Sequence, residues 1–170
     1  MALAAGLSKD CAANSGGIKR IAIANEADVA SVAYTSNVAA VTMGTAKVFY
    51  EFEFEQDTAE WRENGELING SLKYIQELEF FIRKNNDTNR TALAELGSNC
   101  GFIILVEDMN GTVYILGHSE DLADERPMKL ASDATASGKE LTDLAGSTMT
   151  LTAMSVAKAH TCSDTIDSLI

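Results

Sequence analysis

KVFYEFEFEQ, running from Lys47 to Gln56, alternates aromatic and carboxylate side chains. A period of two puts Val48, Tyr50, Phe52 and Phe54 on one face and Glu51, Glu53 and Glu55 on the other, whereas a helix would scatter both kinds around its circumference. The expectation is a half-exposed β-strand, and with it a mainly β fold.

Downstream, Ser71 to Lys84 can alternate in the same way, with Leu72, Tyr74, Leu78, Phe80 and Ile82 on one side and Lys73, Glu77, Glu79 and Arg83 on the other. Ile75 and Phe81 interrupt the polar face. A helical stripe through Leu72, Ile75, Leu78 and Ile82 competes, but the density of aromatic and β-branched residues favours a strand. Between the two stretches, Asp57 to Gly70 reads as a long acidic loop carrying the single tryptophan, Trp61. Long loops in compact domains tend to have a function, and tryptophan concentrates at interfaces.

After Asn85, capping residues at Asp87 or Thr88, apolar Leu93 and Leu96 and a terminating Gly97 predict one short helix. FIILV and TVYIL then flank Asn110-Gly111, a hairpin signal because both residues tolerate positive φ. Ile18 to Asn25, Pro127 to Ala131 and Ser147 to Val156 read as further strands, with a Ser/Thr-rich loop at Ser132 to Lys139. Segments 1–17 and 161–170 read as terminal arms. The pattern of six or seven strands, one helix and no βαβ alternation predicts a single α+β, mainly β domain over 1–170. Two packed antiparallel sheets, as a sandwich or partly closed barrel with one short flanking helix, are expected.

Composition narrows the function classes. The 170 residues are 46% apolar and 22% charged with one proline, which is globular, and no apolar run is long enough to cross a bilayer. Met1 to Asp10 lacks the pattern of a secretory signal, so cytosolic synthesis is expected. Thirteen basic against twenty-five acidic side chains give a formal charge of −12, which repels phosphates and disfavours specific nucleic-acid binding. Cys11, Cys100 and Cys162 fit neither a disulfide framework nor a metal knuckle and read as idle thiols.

No catalytic constellation emerges. A nucleophile triad needs a histidine base near a serine or cysteine, and the two histidines offer poor settings, His118 following the predicted hairpin and His160 lying in the predicted tail. Glu51 with Glu53, or Glu77 with Glu79, share a strand face with no sign of burial to separate their pKa values. Gly138-Lys139 lacks the rest of a phosphate loop, and Asp108-Met109-Asn110-Gly111 lacks the spacing of a calcium loop. The expectation is no catalytic residue, metal or cofactor.

The order of elements from about Lys47 to Val156, ending in GKELTDLAGSTMTLT (Gly138 to Thr152) with the Asp143-Leu144-Ala145-Gly146 turn, resembles the tail tube (major tail) proteins of tailed bacteriophages, relatives of the inner tubes of contractile injection machines. That resemblance implies a sandwich subunit forming rings, typically six-fold, that stack into a hollow tube conducting double-stranded DNA. It implies a virion protein made in the host bacterial cytoplasm, with other tail proteins such as sheath, baseplate or terminator as partners and no membrane insertion. On this reading Glu51, Glu53, Glu55, Glu77 and Glu79 are lumen-lining candidates, because an acidic bore lets phosphates slide where a basic one would hold them. Trp61, Glu63, Leu67 and Ile68 are candidates for contacts between subunits. The competing readings are a single-ring head, neck or tail-terminator component, and a monomeric ligand-binding β-sandwich with Trp61 and Tyr74 as a stacking platform.

Overall fold

Backbone hydrogen bonding divides the chain between two sheets. The computed structural model describes residues 14–84, 86–140 and 142–170. Its strands are β1 (Ile18–Asn25), β2 (Val29–Thr35), β3 (Val38–Met43), β4 (Tyr50–Glu51), β5 (Glu60–Ile68), β6 (Ser71–Arg83), β7 (Phe102–Asp108), β8 (Val113–Leu116), β9 (Lys129–Ala136), β10 (Gly146–Ser155) and β11 (His160–Cys162), with one helix, α1 (Asp87–Ser98), after β6. A seven-stranded sheet has the order β2-β3-β11-β8-β7-β1-β4 and a four-stranded sheet the order β5-β6-β10-β9. Among the described residues every strand pairing is antiparallel except β11 with β3. The molecule is thus a mainly β, α+β sandwich of two sheets with one flanking helix, and it is not closed into a barrel.

The apolar run of β7 explains the layering. Phe102, Ile104 and Val106 pack toward the four-stranded sheet with Ile21, Ile23, Leu78, Phe80, Met149 and Leu151. Ile103 and Leu105 face the other way, into a second core with Ala22, Ala24, Ala39, Val41, Phe49, Ile115 and Ile166. A strand covered on both faces is apolar at consecutive positions, which is why FIILV shows no alternation.

Helix α1 begins where Asn86 accepts a hydrogen bond from Asn89 N at 2.8 Å, and it buries Leu93 and Leu96. N-cap chemistry and apolar spacing therefore act as expected, one residue from the predicted cap, but Gly97 does not end the helix, which runs on to Ser98 with Asn99 as its C-cap. The β7–β8 turn is built differently from the Asn-Gly expectation. Only Gly111 has positive φ, and the Asp108 carboxylate accepts from Asn110 N (2.9 Å) and Thr112 N (2.8 Å).

Several expectations require correction. The segment 57–70 is not a loop, since Glu60–Ile68 is a strand paired with β6 through a two-residue turn at Asn69-Gly70, both with positive φ. That is the Asn-Gly hairpin geometry matching strand twist. The tail 161–170 is no free arm, because β11 sits inside the large sheet between β3 and β8 and Ile166 is buried in the second core. Of the N-terminal arm, 1–13 lie outside the described residues, while Ser15 N donates to Asn110 Oδ1 at 3.0 Å. Ser132 to Ala136 belong to β9 rather than to a loop.

The opening stretch is extended but is not one regular strand. Phe49 N donates to Leu169 O, Phe52 N to Ile21 O and Glu55 N to Phe81 O, so the chain crosses from the large sheet to the small one. Phe49, 1% exposed, fills the second core, while Phe52 and Phe54 pack against the first. Val48 and Tyr50, expected to pack, are 39% and 62% exposed, because the strap serves cores on opposite sides of the large sheet.

A candidate assembly surface

The four-stranded sheet buries one face only. On β6, Gln76, Leu78 and Phe80 are buried, and the alternating Lys73, Glu77, Glu79 and Arg83 face outward as the sequence predicts. Register extends that outward face across the sheet. Glu79 lies between Glu60 of β5 and Thr150 of β10, with Ser132 of β9 beyond; Glu77 lies between Arg62 and Thr152; Ile75 lies between Asn64 and Met154. No element packs over these rows among the described residues. Arg62 Nη2 reaches Glu77 Oε1 at 2.5 Å and its Nε lies 3.8 Å from Glu60 Oε2, partly offsetting the Glu60–Glu79 juxtaposition. β5 and β9 are the edges of this sheet, so each leaves one row of backbone groups outside its ladder.

The candidate residues separate into groups. Glu77 and Glu79 occupy the open face. Glu51 instead clamps Arg20 (2.7 Å), which also reaches Asp167 (2.7 Å), pinning β4 and the C-terminal turn onto β1. These bonds raise the Arg20 pKa, and the Arg20 guanidinium holds the Glu51 carboxyl below its ordinary value. Glu55 pairs with Arg83 at 2.9 Å, and Glu53 is exposed on the same extended segment. The two glutamate sets expected to share one lining therefore lie on different elements, and Glu60, passed over in the sequence, joins Glu77 and Glu79.

The candidates for contacts between subunits divide in the same way. Trp61 turns inward onto Tyr114, ring centroids 5.0 Å apart, and packs against the first core. Glu63 accepts from Ala159 N (2.7 Å) and Gln76 Nε2 (3.3 Å), while Gln76 Oε1 accepts from Gly117 N (3.2 Å). This bridge ties β5 and β6 to two loops and satisfies a glutamine 1% exposed. Leu67 and Ile68 remain outside, 72% and 46% exposed at the β5–β6 tip, with Leu72 directly opposite Leu67. Next to Tyr74, Gly65 leaves room for the ring, since a Cβ there would come within 2.9 Å of it.

The Asp143-Leu144-Ala145-Gly146 turn has a mechanical account. Asp143 Oδ2 accepts from Lys139 N (2.8 Å) and Glu140 N (3.0 Å), bonds that lower its pKa. Any Cβ at Gly146 would collide with Ile82 O and the Phe81 ring, so only glycine lets β10 start against β6.

Two other features bear on chemistry. A groove of about 740 Å³ lies between α1 and the 50–55 strap, floored by Phe52, Phe54, Ile82, Leu93 and Leu96. In the large sheet, the Tyr34 hydroxyl is 2.6 Å from His118 Nδ1, and its ring lies 4.8 Å from that of His160. Burial lowers the His118 pKa, and it pushes the Cys162 thiol up to about 11, well away from thiolate reactivity. Among the described residues no cluster of three or more His, Cys, Asp or Glu side chains could hold a metal ion, and no helix is long and apolar enough to cross a membrane.

Comparison with known proteins finds no family model, curated protein or solved structure that matches this chain.

Proposed function

We propose that this chain is a non-catalytic virion subunit whose copies pair edge to edge into rings, the rings stacking into a tail tube through which double-stranded DNA passes. One observation carries the reading: a four-stranded sheet with one face packed, the other polar, carboxylate-bearing and uncovered, and both edges open. An isolated subunit leaves those edges as unpaired templates, and a ring in which β5 of one copy meets β9 of the next consumes them by closure. The outward face, with Glu60, Glu77 and Glu79 beside Arg62, Lys73 and Arg83 and among threonines and serine, would then line the bore. Combined with a net charge of −12, it would repel phosphates and let a duplex slide.

The stacking-platform reading loses its support, because the Trp61 ring is already occupied by Tyr114. Negative-stain images of the purified protein test the proposal. Stacked tubes of uniform bore support it, isolated rings favour a terminator or neck component, and a monomer at every concentration refutes both. Lysine at positions 60, 77 and 79 should leave assembly intact and slow DNA ejection from particles; unchanged ejection removes these side chains from the lumen.

A further inference from the structure

We infer that the β5–β6 hairpin tip is a plug that seats in the groove between α1 and the 50–55 strap of a second copy, making a head-to-tail contact along the axis of β6. The inference rests on the self-assembly reading and names the surfaces that join one subunit to the next.

Plug and socket match in chemistry. The tip presents Leu67, Ile68 and Leu72, 72%, 46% and 45% exposed. A two-residue turn keeps it one hairpin wide. The groove offers about 740 Å³ with a floor of Phe52, Phe54, Ile82, Leu93 and Leu96, room for a few aliphatic side chains. Charges match as well. Just behind the tip stand Glu66 and Lys73, 3.2 Å apart across the hairpin. Lys84, Glu53 and Glu95 stand on the groove rim and form no ion pair among the described residues, so each sign on the hairpin can find its opposite.

Position decides which copy fills the groove. Leu72 and Ile82 belong to the same strand, and ten steps of about 3.3 Å set them about 33 Å apart. A rigid hairpin cannot fold back over that length, so the plug cannot enter its own socket. Because plug and socket are different surfaces, the contact is heterologous and repeats without closing on a pair, which is the geometry of stacking. The expected axial repeat is about 30–40 Å, the length of β6.

The full chain tests this with Leu67→Asp/Ile68→Asp and Ala92→Glu, the latter placing a carboxylate in the groove wall; Ala92→Lys supplies the same block should the glutamate variant not fold. Far-UV circular dichroism and Trp61 fluorescence verify folding. Sedimentation velocity up to the solubility limit should show end-to-end association weakened by about a hundredfold in either variant, the loss when two apolar side chains fail to leave water. The two variants mixed retain one live plug and one live socket, so they should form pairs, of subunits or of rings, that do not grow.

Stacks in the Leu67→Asp/Ile68→Asp protein, or a mixture that associates no better than its parts, overturn the inference while leaving the ring reading intact. Strings one subunit wide with the expected repeat would uphold the plug and sink the tube. A wild-type monomer at every concentration sinks both.

Discussion

Replacing Phe49 by alanine and, separately, Tyr50 by alanine puts the reading of the opening stretch to a quantitative test. Simple alternation makes Tyr50 the packed residue, whereas the fold makes it Phe49, 1% against 62% exposed. Phe49 sits in the second core with Ile103, Leu105 and Ile166, and its N–H donates to Leu169 O at 2.8 Å. A buried phenylalanine cut to alanine costs about 3–5 kcal/mol, more where the cavity cannot collapse. Here one wall is the C-terminal turn around Ile166, which lies at the surface and can settle inward, so the lower end, about 3 kcal/mol, is expected. Tyr50→Ala, an exposed change at a groove rim, should stay within about 0.5 kcal/mol. Urea unfolding followed by Trp61 fluorescence and far-UV circular dichroism measures both. Trp61 reports from the first core and the far-UV signal from both sheets, so coincident transitions also show that the two cores unfold together through β1, β7 and β8. A Phe49→Ala loss under about 1 kcal/mol, or one no larger than that of Tyr50→Ala, would refute the two-core account.

Gln76→Leu leaves the buried Gly117 N without its acceptor and should cost about 1–3 kcal/mol by urea unfolding. Gly146→Ala forces β10 off β6 and should cost about 1–3 kcal/mol, whereas Gly111→Ala, with open space around its Cβ position, should lose only the smaller backbone strain of a positive φ. For His118, burial sets the folded pKa below the unfolded value near 6.5, so protonation favours the unfolded chain; Asp124 opposes the shift and His160 adds to it. Stability is therefore full above that value and declines as pH falls below it, and between about pH 7.5 and about pH 5.5 the decline should shrink in His118→Gln. An equal decline in that variant would assign it elsewhere.

What could be read from the residues followed from regular periodicity. β1 runs from Ile18 to Asn25 as expected, and the outward set on β6 was legible because Lys73, Glu77, Glu79 and Arg83 keep a period of two along an unbroken strand. β5 escaped detection because one of its inward positions is Glu63, a carboxylate satisfied by a backbone N–H and Gln76 from distant segments, so its alternation looks broken. β2 and β3 are rich in alanine and turn on Ser36-Asn37, a weaker signal than Asn-Gly, although both residues adopt positive φ. β11 has three residues, and its parallel partner β3 lies more than a hundred positions away in sequence, beyond any local rule. The assembly surface was half legible for the same reason: Leu67 and Ile68 are apolar at a tip, but the inward turn of Trp61 depends on Tyr114 in the other sheet.

The two sheets divide the work of the molecule. The large one has apolar cores on both faces and ends on one side in β4, two residues long and clamped by Arg20, so one edge is blunted by brevity and charge. The small one spends only one face on stability. Its edges differ from an aggregating edge: β5 carries Glu60, Arg62, Glu63 and Glu66, and β9 beyond Leu130, which packs on the first core, is composed of small residues with Lys129 and Asp133. Such edges are poor templates for indiscriminate pairing in water, yet they retain backbone donors and acceptors for a partner held in register by other contacts. A plug at one end of β6 and a socket at the other would supply that register. On this logic the plug and socket strengthen a lateral contact that the edges make, and blocking the groove with Ala92→Glu should weaken lateral as well as axial association. Lateral association unaffected by that change would show that the edges find their register unaided.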